Sequence, residues 1–344
     1  MEVTGLTRRV VVRDQSDGAN ARRTAVRAAE RARFDSALQG RVSLIAAELT
    51  SNLVKHTGQG GYLLINSVVP PTGAGAVELV AIDKGPGMVN PAAAFEDGYS
   101  STGSLGAGMG TIRRQASYFE IYSLADRGTA ILARIAADGH SGEPEIDVGV
   151  LSVPKDGEDV SGDGWAACHV PSGIQLLVVD GLGHGMLAHD AAVLAVDTFR
   201  STAGGQPVDV LRTLHAPLRS SRGATAGVFT IDTQARALTY CGVGNIGAAV
   251  VTADRSRKLV SLNGTIGREP VQFKQFSTEW DPNSLLVAHS DGLTTRWRLD
   301  EPGLAAKDPT LIAAVLFRDF ARELDDVTVV VARQRRGQAG REGQ

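Results

Sequence analysis

Cysteine is nearly absent from this chain: Cys168 and Cys241 are the only two among 344 residues. They fall in different predicted strands, which points to reduced thiols and away from a disulfide scaffold. No stretch reaches the roughly 20 apolar residues that cross a bilayer. The opening Met1-Glu2-Val3-Thr4-Gly5 lacks the shape of a signal peptide. A cytoplasmic protein with no membrane partner is therefore expected. A formal net charge of −3 with no sustained basic stripe argues against nucleic acid as a partner. There is no internal repeat and no Walker A sequence. Gly181-Leu182-Gly183-His184-Gly185 lacks the full G-x-G-x-x-G pattern of a dinucleotide fingerprint.

What is present fits two domains. The length suits about two, and 43% hydrophobic residues can fill two cores. Residues 136–147 are polar, carry Gly and Pro, and lack apolar periodicity, so they read as the linker. The expected division is 1–138, a linker at 139–147, 148–333, and a disordered tail at 334–344. In the first domain we expect a strand at 9–13, helices at 18–38 and 41–56, and strands at 61–69, 77–83, 118–124 and 128–136. A helix should start near Gly110, and 90–108, rich in Gly, Ser and Ala, suits a lid. In the second domain we expect strands near 148–154, 165–170, 174–180, 225–231, 237–243, 247–252, 284–290 and 326–332. Helices are expected near 185–203, 207–220 and 308–322.

Four aspartate motifs mark the second domain: Gly162-Asp163-Gly164, Val179-Asp180-Gly181-Leu182-Gly183-His184-Gly185, His289-Ser290-Asp291-Gly292 and Leu324-Asp325-Asp326-Val327. Two follow apolar runs and the last opens one, so the carboxylates gather at strand ends. A lone Asp-Gly is usually a turn. Several together, with glycines that let the backbone approach, make a hard oxygen cage for Mg2+ or Mn2+. His184 and His189 are five apart and share no helix face, so they read as core or rim residues.

In the first domain, Val42, Ile45, Ala46, Leu49 and Leu53 recur at helical spacing, which places Glu48, Asn52 and Lys55 or His56 together on another face. A strand then ends in Asp83-Lys84-Gly85-Pro86-Gly87, and Gly106-Ala107-Gly108-Met109-Gly110 runs into a helix. Gly128-Thr129 opens a further strand. A carboxylate such as Asp83 at a strand end can accept a hydrogen bond from an amino group, and Gly85 and Gly87 free the turn beside it. Asn52 can ligate Mg2+. Gly106, Gly108 and Gly110 can show backbone N–H groups to phosphate ahead of a helix. Glu48 can orient or deprotonate an incoming hydroxyl. Lys55 either touches phosphate or, with His56, suits a helix end.

The aspartate set resembles the PPM-type serine/threonine phosphatases of the SpoIIE/RsbX-like branch, over about residues 148 to 333. The first-half motifs resemble the boxes of the GHKL (Bergerat) ATP-binding fold over about residues 5 to 136. The short form, with no phosphoacceptor histidine helix before residue 40, is similar to the RsbT-like anti-sigma-factor serine kinases. These resemblances imply an α/β two-domain chain: a Bergerat α/β sandwich, then a PPM β-sandwich flanked by helices. They imply ATP with Mg2+, bound through Asn52, Lys55, Asp83, Gly85, Gly87, Gly106, Gly108, Gly110 and Thr129, with Glu48 catalytic. For the second half they imply two Mn2+ or Mg2+ ions. Asp180 would bridge them, the Gly181 carbonyl would join one, and Asp163, Asp291 and Asp325 would complete the cage. Asp326 stands where the wider family has Asn, so either neighbour could be the ligand. The implied partner is a STAS-domain antagonist in a partner-switching cascade, with sigma or anti-sigma proteins in the same pathway. The competing expectation is an ATP-gated, non-catalytic module that sequesters a partner, attached to an active phosphatase.

Overall fold

The computed structural model describes residues 5–68, 75–91, 105–137, 145–268, 271–322 and 324–335. Most of the expected lid, residues 138–144 of the linker region and the tail beyond Arg335 lie outside those residues. The chain divides into two compact units. One is Gly5–Ser141 with Glu301–Asp319, and the other comprises the described residues of Gly142–Asp300 and Phe320–Gln344.

The first of these units is built on a five-stranded antiparallel sheet. Its strands are β1 (Arg8–Val12), β2 (Gly61–Val68), β3 (Ala76–Ile82), β4 (Tyr118–Leu124) and β5 (Gly128–Ala136). Their order is β1-β2-β3-β5-β4. Helices α1 (Asp17–Arg31), α2 (Ser36–Thr57) and α3 (Leu105–Gln115) pack on it. α1 buries only alanines, Ala21, Ala25, Ala28 and Ala29, a small-residue face that lets α2 come close. α2 buries Val42, Ile45, Ala46, Leu49 and Leu53, the positions its periodicity predicts. The break between the helices comes earlier than the pattern suggests. Asp35 accepts a hydrogen bond from the Leu38 amide at 2.8 Å and so caps α2, while Arg33 turns with φ 60°. Gly58, at φ +70°, ends α2 in the left-handed conformation.

All seven residues of β3 are buried, so both faces of the sheet are covered. One face joins the helical core through Val77, Leu79 and Ala81. The other requires a second layer, and Glu301–Asp319 is the remaining part of the unit. It holds a 3-10 turn (Leu304–Ala306) and helix α6 (Pro309–Phe320), which is buried from Pro309 to Arg318. Polar contacts tie it in place. Arg134 pairs with Glu78 at 2.7 Å and with Asp308 at 3.2 Å. Thr310 Oγ1 donates to Glu78 at 3.2 Å, and Tyr122 donates to Glu301 at 3.1 Å. The helix expected over 308–322 is thus present, but its residues up to Asp319 group with the first half of the chain, outside the expected 1–138 division.

The other unit is a pair of five-stranded antiparallel sheets, as the β-sandwich expectation requires. Its strands are β6 (Ile146–Val153), β7 (Asp163–Val170), β8 (Gly173–Gly181), β9 (Ala224–Asp232), β10 (Ala237–Val243), β11 (Gly247–Val251), β12 (Ser256–Lys258), β13 (Gln275–Glu279), β14 (Leu285–His289) and β15 (Val327–Gln334). The sheet orders are β13-β10-β9-β8-β7 and β12-β11-β14-β15-β6. Helices α4 (Met186–Thr202) and α5 (Pro207–Leu218) pack on the first sheet. β12 and β13 escaped the sequence reading. β12 is three exposed residues, and Gln275-Phe276-Ser277-Thr278-Glu279 carries no apolar alternation. The linker ends early, since Ile146 and Asp147 already pair with β15. At the far end Gln334, expected in the tail, is the last residue of β15.

Candidate functional sites

The carboxylates of the second half converge because strand register brings them together. Asp163 opens β7 and faces Asp180, the penultimate residue of β8, across the ladder. Asp291 follows β14 by two residues, and Asp325 and Asp326 immediately precede β15. Gly181 is buried where a Cβ would strike the Ala188 carbonyl, and its amide donates to the Gly162 carbonyl at 2.9 Å. Gly292 has no room either, because its Cβ would strike the Asp326 carbonyl.

Burial, then the neighbouring Asp291 and Asp325, pushes the Asp180 carboxyl up to about 7. Asp163, 6% exposed, lies well above the ordinary carboxylate range, first through burial and then through Asp180. One of its oxygens is buried with no hydrogen-bond partner. Buried carboxylates that repel one another, one with an orphaned oxygen, are the donor set of a hard cation. Among the described residues, no three acidic, histidine or cysteine side chains stand close enough to enclose a single ion. The fit therefore rests on the Asp163–Asp180 pair and its neighbours.

Asp326 plays a different part from Asp325. Its two oxygens accept from the Lys155 and Gly162 amides, each at 2.8 Å, and it is 3% exposed. That carboxylate clasps the segment leading into Asp163. Asp325 is half-buried and, among the described residues, accepts only from the Asp326 amide, at 3.0 Å. Asn245 was missed by the sequence reading. Its amide donates to Asp291 at 2.7 Å and bonds the Asp180 side chain, while its oxygen accepts from Thr225 at 2.6 Å. It follows β10 in Gly242-Val243-Gly244-Asn245, a polar residue after a strand and a glycine. That is the signal that revealed the aspartates. The histidines are scaffold: His184 bonds Glu158 at 3.1 Å and His189 donates to the Ser161 carbonyl at 2.9 Å.

The first-half candidates cluster around the end of α2. Asp83 is buried one residue past β3, and its carboxylate accepts from the Gly85 amide at 2.8 Å and the Thr129 amide at 3.3 Å. Burial raises its pKa, against those two bonds and Arg318. Gly85 is needed because a Cβ there would press Asp83 Oδ1 and Thr57 at 3.0 Å, and Gly87, at φ +66°, abuts the Leu124 carbonyl. The Thr129 hydroxyl is shared with Ser123 at 2.8 Å. Glu48 and Asn52 lie together under α3: a Cβ on Gly108 would stand 2.8 Å from Glu48 Oε2 and 3.7 Å from Asn52 Oδ1. The Asn52 amide donates to Met109 Sδ at 3.5 Å, and Oδ1 is the acceptor that the side chain has left. Lys55 is exposed, and His56 holds a buried Nε2 without a partner.

The glycine-rich stretch is already helical from Leu105. Gly106 and Gly108 fall in the first turn, where amides are free for an anion. Gly110, the sixth helical residue, has its amide within the i→i−4 ladder, so it does not supply a phosphate donor as the sequence suggested.

Residues 11–135 match the family model described as histidine kinase-like ATPase domain. Residues 171–335 match that described as Stage II sporulation protein E (SpoIIE). Phosphoserine phosphatase RsbX of Bacillus subtilis (strain 168) is 26% identical over 145 residues, 42% of this chain and 73% of that protein. Serine/threonine-protein kinase RsbT of the same organism is 32% identical over 100 residues, 29% of this chain and 74% of that protein. A solved structure concerning the bacterial stressosome, a modular system adapted to control secondary messenger signalling, is similar at a TM-score of 0.51. It is 28% identical, covering 55% of this chain and 99% of that one.

Proposed function

We propose, for a chain that belongs to the histidine kinase-like ATPase family in its first half and to the SpoIIE family in its second, a regulator with two opposed activities. The first half transfers phosphate from ATP to a serine or threonine of a STAS-domain antagonist. The second hydrolyses phosphoserine or phosphothreonine in the same partner-switching pathway. The similarity to a kinase and to a phosphoserine phosphatase of one organism supports pairing these activities. The observation that carries the phosphatase is the opposed Asp163–Asp180 pair with its orphaned oxygen.

In the phosphatase half, Asp163, Asp180, Asp291, Asp325 and the Gly181 carbonyl would hold two Mg2+ or Mn2+ ions. Such ions lower the pKa of bound water and so supply hydroxide near neutral pH. Asn245 fixes the Asp180 and Asp291 carboxylates relative to each other. Asp326 fixes the approach to Asp163. We assign the ligand role to Asp325, because both oxygens of Asp326 are already used by backbone amides.

In the kinase half, Asp83 accepts from the adenine amino group, a discrimination that guanine fails. Asn52 Oδ1 would hold Mg2+, and Glu48, beside it, would take the proton of the incoming hydroxyl. The amides at the start of α3 face phosphate.

The test incubates the full chain with labelled ATP and a STAS protein, then with the phosphorylated STAS protein and Mn2+. Label transfer that Glu48→Ala removes, and label release that EDTA and Asp180→Asn remove, support the reading. Nucleotide binding without transfer in the wild type would leave the first half a binding module that sequesters its partner. Release in EDTA would end the metal assignment.

A further inference from the structure

Helix α6 enters the chain between two carboxylates assigned to metal, after Asp291 and before Asp325, yet up to Asp319 it belongs to the unit that carries Asp83. It lies along β3. Near its start Thr310 Oγ1 donates to Glu78, and near its end Arg318 Nη1 reaches the Asp83 carbonyl at 3.5 Å. Arg318 is the single charged residue in the buried run Pro309–Arg318. Its Nε and Nη2 donate to the two oxygens of Asp319, each at 2.8 Å, which fixes the plane of the fork and leaves Nη1 for the strand. Burial opposes its charge, and Asp319, Glu301 and Asp83 hold it. A leucine would cover the end of β3 without the cost of burying a charge. What the arginine adds is an electrostatic tie to the residue assigned to adenine.

Two residues past Arg318, the same chain holds the turn that carries Asp291. The Thr294 amide donates to the Phe320 carbonyl at 3.0 Å, and the Arg322 amide donates to the Gly292 carbonyl at 2.8 Å. Leu293 and Ala321 pair between them as an antiparallel bridge. The turn is also pressed against the residue before β15, since a Cβ on Gly292 would strike the Asp326 carbonyl. One bonded path therefore joins Asp83 to Asp291: the guanidinium, the last turn of α6, Phe320–Arg322 and Gly292–Thr294. The path is the chain itself and the hydrogen bonds along it.

We propose that α6 couples the two sites: nucleotide seated on Asp83 orders the turn that carries Asp291 and so tightens metal binding, and metal tightens nucleotide in return. The coupling rests on the nucleotide and metal readings above. A base bonded to Asp83 fixes the end of β3 and with it Arg318, and ordering done at one site need not be repeated at the other. Linkage makes the factor the same in both directions.

The test uses the full chain with and without ADP, with free Mn2+ held equal in both arms by a metal buffer so that chelation by the nucleotide does not count. Hydrogen exchange follows the Thr294 and Arg322 amides, and hydrolysis of p-nitrophenyl phosphate follows the cage. ADP should slow exchange at both amides and lower the free Mn2+ needed for half-maximal hydrolysis, each by roughly fivefold or more. Amides of β10, in the same unit but off this path, should not slow by that factor. Arg318→Ala should still bind ADP in calorimetry and lose both effects. Asp319→Asn, which unpins the guanidinium, should weaken them. Exchange and Mn2+ requirement that stay unchanged, or loosen, with ADP bound to the wild type overturn the proposal. So does undiminished coupling in Arg318→Ala, or in Asp319→Asn should the first variant fail to fold. A wild type that binds no ADP would overturn the nucleotide reading and the coupling with it. Protection of the turn by ADP without any hydrolysis would overturn the phosphatase reading and leave the coupled turn standing.

Discussion

Replacing Asp326 by Ala should unfold the protein more readily, whereas replacing its neighbour Asp325 by Asn should spare stability and remove metal. The contrast follows from where four oxygens point. Both Asp326 oxygens accept backbone N–H groups at 2.8 Å in a site 3% exposed. A hydrogen bond to a charged group contributes roughly 1.5–3 kcal/mol, and each abandoned buried donor keeps its desolvation penalty. Two such bonds, less the relief of no longer burying a carboxylate, give a loss of about 3–5 kcal/mol. Asp325 makes one bond, from the Asp326 amide at 3.0 Å, which an Asn oxygen can accept equally. Its stability change should stay within about 0.5 kcal/mol. The assay is urea unfolding in EDTA, with Mn2+ titration calorimetry beside it. Asp326→Ala should lower the urea midpoint clearly. Asp325→Asn should weaken Mn2+ binding by tenfold or more on the order-of-magnitude scale of a lost charged ligand. The reasoning fails if Asp326→Ala unfolds with the wild type and loses Mn2+ while Asp325→Asn binds it normally. Asp326 would then be the ligand and its two amide bonds incidental.

The elements with strong local patterns were legible. The buried face of α2 appeared in the spacing of Val42, Ile45, Ala46, Leu49 and Leu53. β10 and β5 run over the residues their apolar runs marked. Asp163, Asp180 and Asp291 stood out beside their glycines, and Asp325 and Asp326 as a doublet opening an apolar run. What failed had no local signal. Asn245 reaches Asp291 and Asp180 through long-range packing and stands in no Asp-Gly motif. Nothing in Pro309–Phe320 says which sheet it covers. The helix is apolar on every side, so periodicity could not give it a face, and its partners Glu78 and Arg134 lie far away in sequence. Asp325 and Asp326 are alike in sequence, and the amides of Lys155 and Gly162 that bond Asp326 come from far along the chain.

Glu48→Ala should keep ATP affinity in calorimetry and lose phosphate transfer to a STAS protein, and transfer at the wild-type rate would remove Glu48 from the chemistry. Asp180→Asn should abolish Mn2+-dependent release of p-nitrophenol, while thermal melting in EDTA stays equal or rises, because a charge repelled by Asp291 and Asp325 is gone. A lower melting temperature would show that the carboxylates do not repel. Arg134→Ala leaves Glu78 and Asp308 unpaired, and a buried pair broken on one side costs about 3–5 kcal/mol; a midpoint within about 0.5 kcal/mol of wild type would make the cluster ornamental. The last prediction concerns Asp83, whose pKa burial raises above 3.8. As pH falls from neutral through that raised value, the folded protein takes up a proton before the unfolded chain does. Two quantities then move in opposite directions. ATP affinity falls, because a protonated carboxyl no longer offers the adenine amino group a full acceptor. The contribution of Asp83 to stability without nucleotide improves over the same window, because folding no longer buries a charge. Asp83→Asn should bind ATP weakly at every pH and show neither trend at this site. ATP calorimetry and nucleotide-free melts of both proteins across the window measure it. If ATP affinity of the wild type and of Asp83→Asn runs parallel as pH falls, Asp83 does not read the base.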